Sequence, residues 1–270
     1  MTRDFKSTFG CHSTPFTREI RVDELHDIVF HLAARDNIVR AIEKRMSAAL
    51  ISGPGSGKST VVRSVIARLP EARYITHYVK CADIGKRDMY REIACACTVQ
   101  STGSFPKLLR RIQEKFESSL ADSGRRPVLF LDEAHELRPE VLSMLRVLTN
   151  FEMDSKLVLS VVLAGQVPLA KLLSQDDQIP IARRIIHYAT LRPLSRDETA
   201  KYVEYRMGAA GAKSSPFDDA SLDAIYEIAR GNLRIIDNLA LESLELASAA
   251  KLKVVSAQHV AAARRAQWPS

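Results

Sequence analysis

The sequence predicts an α/β fold, with a parallel five-stranded sheet flanked by helices and a smaller all-helical domain at the C-terminal side. Three observations carry this. Short, continuously apolar runs alternate with stretches of helical period, the pattern of strands buried on both faces. One of those runs leads directly into a glycine-rich loop that opens a helix. After Pro193 the apolar runs cease and only helical periods remain.

Taken in order, residues 1–34 carry no clear period and read as an N-terminal leader. Asp36–Arg45 reads as a short helix and Ala48–Ile51 as the first strand, followed by a helix over Lys58–Leu69 and a strand over Tyr74–Val79. Phe105, Leu109, Ile112 and Phe116 recur at helical spacing, so Ser104–Leu120 is expected to be an amphipathic helix whose other face carries Lys107, Arg110 and Arg111. Val128–Leu131 is an apolar strand ending in two acids. Val141, Leu142, Leu145 and Leu148 mark a helix, and Leu157–Leu163 and His187–Leu191 complete the five strands. Residues 35–191 thus form the α/β domain and 192–270 the helical one. The latter shows periods at Ala200, Val203, Met207 and Ala210, at Leu222, Ile225, Tyr226 and Ala229, and at Leu233, Ile236, Ala240, Leu244 and Ala247. A fourth helix is expected over Ser256–Gln267.

Composition narrows the function. At 46% hydrophobic residues the chain of 270 has enough apolar side chain for a folded core. Thirty-nine Lys and Arg against 32 Asp and Glu leave a net charge of +7, which favours an anionic partner, nucleic acid first. Cys11, Cys81, Cys95 and Cys97 show no metal-binding spacing and are expected to be reduced thiols, with Cys95 and Cys97 on different faces of a helix. No apolar run approaches the roughly 20 residues that span a bilayer. The start, Met1-Thr-Arg-Asp-Phe-Lys, lacks a secretory pattern, so a cytoplasmic protein without membrane contact is expected.

The chemistry concentrates in two motifs. Ser52-Gly53-Pro54-Gly55-Ser56-Gly57-Lys58-Ser59-Thr60 sits between a strand and a helix, the setting of a phosphate-binding loop. Its glycines turn backbone N–H groups toward one concavity, and the helix start adds partial positive charge. Lys58 is expected to reach the β- and γ-phosphates of ATP, and the Ser59 hydroxyl to ligate Mg²⁺. Ser52 stands where the usual pattern has glycine. Downstream, Asp132 and Glu133 end a buried strand, Asp132 to hold Mg²⁺ and Glu133 to activate the attacking water.

Three further positions complete the expected site. Gln166 follows the fourth strand and would sense the γ-phosphate or hold the water. One of Arg183 and Arg184, just before the last strand, would reach the γ-phosphate of a neighbouring subunit. Arg234 opens a helix, where the dipole opposes a cation unless it serves an anion, and is expected to touch ATP.

Together these residues resemble the AAA+ ATPases of the ExeA/TniB type. The likeness rests on the glycine-rich loop, Leu131-Asp-Glu-Ala-His135, Gly165-Gln166, Ala182-Arg-Arg-Ile185, Leu191-Arg-Pro-Leu194 and Gly231-Asn-x-Arg234, with Phe9-Gly10 and Pro15-Phe16 in the leader. The resemblance implies an AAA+ core with a helical lid, a homo-oligomer (ring or filament) with nucleotide between subunits, Gln166 as sensor 1, Arg184 as the arginine finger and Arg234 as sensor 2. Within that group the transposition ATPases, similar to TniB and distantly to MuB and IstB, bind double-stranded DNA with little sequence preference and direct a transposase. Secretion ATPases of the ExeA type carry a membrane helix after the ATPase domain, and this chain stops at Ser270, so the first branch is expected. Lys80, Lys86, Arg87, Lys107, Arg110 and Arg111 are the candidate DNA contacts.

Overall fold

A computed structural model describes residues 5–267, in two compact units. The α/β unit comprises Val29–Gly53 and Lys58–Leu191. The helical unit gathers the residues before Val29, the loop tip Pro54–Gly57 and the chain from Arg192 onward.

The first helix, α1 (Phe5–Phe9), belongs to the helical unit. The α/β unit then runs α2 (Val29–Glu43), β1 (Ser47–Ser52), α3 (Lys58–Arg68), β2 (Tyr74–Lys80), α4 (Lys86–Ala96), α5 (Phe105–Ser123) and β3 (Arg126–Asp132). It continues through α6 (Pro139–Leu148), β4 (Ser160–Gly165), α7 (Pro168–Leu173), α8 (Ile179–Ala182) and β5 (Ile185–Leu191). The five strands form one parallel sheet in the order β2-β3-β4-β1-β5. Strand period places Ala48 and Leu50, Val128 and Phe130 on one face, where they pack with α2 and α3. Ala49 and Ile51, Leu129 and Leu131 face the other way, against α4, α5 and α6. Interior strands β1 and β4 are buried throughout and β3 from Pro127 onward, which is why their sequences are apolar without alternation.

Besides the short helices α1, α7 and α8, which no apolar period marks, three elements differ from expectation. Helix α2 begins at Val29 and not at Asp36. Its inward positions are His31, Ala34, Ile38, Ala41 and Ile42, and a histidine in the first of them hides the apolar period. Helix α4 had no predicted span. Cys95 in its last turn is exposed, whereas Cys97, its C-cap, is buried. Strand β4 starts at Ser160, because the preceding chain bends through Glu152, Met153 and Asp154, all at left-handed φ (47°, 55° and 70°), and leaves Leu157 exposed.

The helical unit continues with α9 (Arg196–Ala209), α10 (Asp219–Ala229), α11 (Leu233–Ala249) and α12 (Ala257–Gln267), the first three of which start on side-chain caps. Ser195 and Glu198 form a reciprocal capping box, Asp218 caps α10 and Asn232 caps α11. The leader packs on these helices. His12 N donates to Ala210 O at 2.8 Å, Arg206 Nη2 to Thr17 O at 2.7 Å, and Tyr205 Oη to Glu24 O at 3.1 Å. Phe16 lies edge-on to Phe217, and the buried Arg206 guanidinium covers its ring.

Candidate nucleotide site

Parallel pairing aligns the C-terminal ends of β3, β4 and β1 along one edge of the sheet, with Ile51 opposite Gly165 and Leu131 opposite Leu163. The glycine-rich loop leaves β1 there, Asp132 and Glu133 end β3, and Gln166 follows the strand between them. Strands about 4.8 Å apart set Asp132 roughly 10 Å from the root of the loop, a span that the terminal phosphates of a nucleotide and a metal would fill.

The loop is built for close backbone approach. Gly55 and Gly57 have φ of +72° and +91°, and a Cβ on Gly55 would collide with the Asn232 side-chain amide. Asn232 Nδ2 donates to Pro54 O at 2.8 Å, and Arg234 N lies 3.4 Å from Gly55 O. The start of α11, with Arg234 as its second residue, is therefore fastened to the loop tip within the helical unit. Buried Lys58 folds its ammonium onto Ser52 O (3.3 Å) and Gly53 O (3.0 Å). Ser59 is exposed in the first turn of α3, whose N–H groups have no intrahelical acceptors.

Asp132 is buried with both oxygens engaged. Oδ1 accepts from Glu133 N at 2.9 Å and Oδ2 from Tyr78 Oη at 2.8 Å. Burial raises the Tyr78 phenol, and the bond to Asp132 raises it further. Beside them burial, then the charges of Asp132 and Glu133, push the Cys81 thiol up to about 12, so it stays protonated. Glu133 adopts left-handed φ (53°), a conformation that costs a non-glycine residue on the order of 1 kcal/mol and turns its carboxylate out of the strand. Its Oε2 lies 3.6 Å from Nδ1 of the largely buried His135, whose Nε2 is 3.3 Å from Glu136 Oε1. A Cβ on Gly165 would crowd Leu169 Cδ2 at 2.9 Å and the His135 backbone nitrogen at 3.1 Å, so a side chain there would force its neighbours to shift. The side chain of Gln166 is half-exposed. Ser59 and Asp132 are oxygen donors suited to Mg²⁺, a cation usually held by one or two protein groups together with substrate phosphates and water.

Arg184 lies elsewhere. It precedes β5, and its carbonyl accepts from Ser47 N at the opposite end of β1, about 17 Å along the strand from Ser52. Its guanidinium donates to Thr149 O and Oγ1 and pairs with Asp154 Oδ1 at 2.7 Å. Arg183, Arg184 and Arg146 line a cavity of 730 Å³ with Gln113, Asn150 and Asp154.

The candidate DNA contacts divide. Lys80, Lys86, Lys107 and Arg110 are exposed, and Lys86 lies over the Phe105 ring. Arg87 donates to Gly103 O, and Arg111 to Gln100 O and to Thr102, so both pin the loop between α4 and α5. Lys80 pairs in register with Asp132, apart from the α4–α5 group. Tyr78, His135, Thr149, Asp154 and Asn232 were absent from the sequence-derived site.

A phosphate loop after β1, an acidic pair after β3 and a polar residue after the strand inserted between them define a P-loop nucleotide-binding protein. More narrowly, residues 40–173 match the AAA domain family. It is 30% identical over 232 residues to General secretion pathway protein A of Aeromonas hydrophila, a match covering 85% of this chain and 42% of that protein. The chain thus spans less than half of that relative. Among solved structures it is similar to the Aeropyrum pernix ORC1 protein in complex with DNA (TM-score 0.68, 17% identity, 98% of this chain and 69% of that chain). It also resembles the RuvB Holliday junction branch migration motor of Thermotoga maritima (TM-score 0.60, 18% identity, 88% and 68% of the two chains). At these identities the likeness establishes the fold alone. No helix among the described residues is long and apolar enough to cross a membrane.

Proposed function

We propose that this protein is an ATP-hydrolysing AAA+ ATPase that assembles as a homo-oligomer on double-stranded DNA and recruits or regulates a transposase. The loop of residues 53–60 cradles the phosphates of ATP with backbone N–H groups, and Lys58 moves from the loop carbonyls onto the β- and γ-phosphates. Ser59 and Asp132 would hold Mg²⁺, which would supply charge neutralisation at the transferring phosphoryl group. Glu133 takes the proton of the attacking water, Gln166 orients that water, and Arg234 neutralises charge from the loop-tip side.

The observation that carries assembly is the site of Arg184. It lies across the sheet from its own phosphate loop, so a phosphate it serves belongs to another copy. Asp154 would give way to that phosphate as the cavity closes. DNA is supported by the net charge of +7 and by exposed Lys86, Lys107 and Arg110 around α4 and α5. Contacts of this kind read phosphates and not bases.

The test is ATP turnover with and without nonspecific duplex, beside Glu133→Gln. Turnover raised by DNA and lost in the variant supports the proposal. The likeness to the secretion protein favours a second reading, an ATPase working on protein partners. Turnover indifferent to DNA, with no duplex retained at low salt, would select it. Capture of a transposase by the ATP-bound Glu133→Gln protein tests the last step.

A further inference from the structure

Strand pairing sets Tyr78 opposite Phe130 and Lys80 opposite Asp132, which puts Tyr78 and Asp132 on one face as diagonal neighbours. Diagonal positions are within reach of a long aromatic side chain. The Tyr78 hydroxyl makes that contact, donating to Asp132 Oδ2 at 2.8 Å, while Glu133 N holds Oδ1 at 2.9 Å. A carboxylate gripped at both oxygens cannot rotate, and each oxygen keeps a second lone pair for water. Asp132 is 4% exposed, whereas Tyr78 lies on the edge strand and is 48% exposed. Packing does not demand a tyrosine at so open a position, and the bond to Asp132 gives it a task.

We infer that Tyr78 is a positioning residue for the divalent cation, fixing the Asp132 carboxylate so that its remaining lone pairs meet the water shell of nucleotide-bound Mg²⁺. The inference rests on the reading of Asp132 as the holder of that cation. It makes the edge strand β2, remote from both nucleotide motifs in sequence, part of the metal site.

The test is binding of a fluorescent ATP analogue, titrated with Mg²⁺ and also in EDTA, for wild type, Tyr78→Phe and Asp132→Asn, with a thermal melt of each. Removing an orienting partner of a metal-holding carboxylate typically costs tenfold or more in metal affinity, so Tyr78→Phe is expected to raise the half-saturating Mg²⁺ concentration roughly tenfold. Affinity in EDTA and the melting temperature stay at wild-type values. A Mg²⁺ curve unchanged in Tyr78→Phe but shifted in Asp132→Asn overturns the role of Tyr78 alone. A curve unchanged in both removes the underlying reading of Asp132 as well. Equal losses with Mg²⁺ and in EDTA, or a lowered melting temperature, mark Tyr78 as a packing residue and overturn the inference.

Discussion

Asn232 joins two tasks that substitution can separate. Its Oδ1 accepts from Arg234 N at 3.1 Å and Ile235 N at 3.2 Å, capping α11, and its Nδ2 donates to Pro54 O at 2.8 Å, holding the phosphate-loop tip. Asn232→Ala removes both. A lost N-cap costs about 1 kcal/mol and a lost hydrogen bond to the loop about 1 kcal/mol more, so roughly 2 kcal/mol of stability should go. Asn232→Asp keeps the cap, since aspartate caps as well as asparagine, so only the loop bond is lost and stability should fall by about 1 kcal/mol. It exchanges the donor for a carboxylate facing the Pro54 carbonyl beside a phosphate site. Loss of about 1 kcal/mol of hydrogen bond plus the repulsion should weaken ATP binding at least tenfold. The assays are urea denaturation followed by helical signal, and ATP binding in the Glu133→Gln background. If Asn232→Asp binds ATP like its parent and Asn232→Ala unfolds like it too, the contact to Pro54 does not hold the loop.

Three further outcomes are expected. Glu198 is held at about 2 by bidentate Arg192 and by the capping box, below its ordinary 4.5, so its contribution is present above pH 4.5 and fades as pH falls toward 2. Glu198→Ala should cost about 1 kcal/mol in neutral urea melts, a difference that shrinks in acid. Arg206→Ala leaves the largely buried Asp237 carboxylate with the Tyr202 hydroxyl but without its counter-charge and frees Thr17 O, and urea melts should show a loss of about 3 kcal/mol. Arg184→Ala should leave ATP binding by each chain intact while cutting turnover of the assembled protein roughly 1000-fold, read by steady-state phosphate release.

What the sequence revealed was local in the chain. The phosphate loop is contiguous, and Asp132 and Glu133 end an apolar run that can only be a buried strand. Tyr78 needed the β2–β3 register, which nothing in Tyr74–Val79 encodes by itself. Asn232 is legible as a cap, because an asparagine just before a helical period is favoured there, but its bond to Pro54 is set by the tertiary fold. Arg87 and Arg111 looked like a solvated face. The loop that they pin turns at Gly103 (φ +97°), and no periodicity argument places its carbonyls under two guanidinium groups. The ion pair of Arg184 with Asp154 depends likewise on a left-handed bend at ordinary residues, which propensity argues against.

The leader's attachment to the C-terminal helices has a consequence for the order of folding. Thr8 meets Ser248 across 240 positions of chain, and Tyr205 meets Glu24 across 181. Closing so long a loop in an unfolded chain is slow, although each doubling of its length costs only about 0.6 kcal/mol. The α/β unit removes that search if it forms first. Its entering helix α2 packs against its exiting strand β5, so folding it returns the chain to where it started. During synthesis the leader would then wait, with Phe16 lacking Phe217, until the last helices emerge, and a chaperone or protease meeting the unfinished chain would find that segment before any other part of the helical unit.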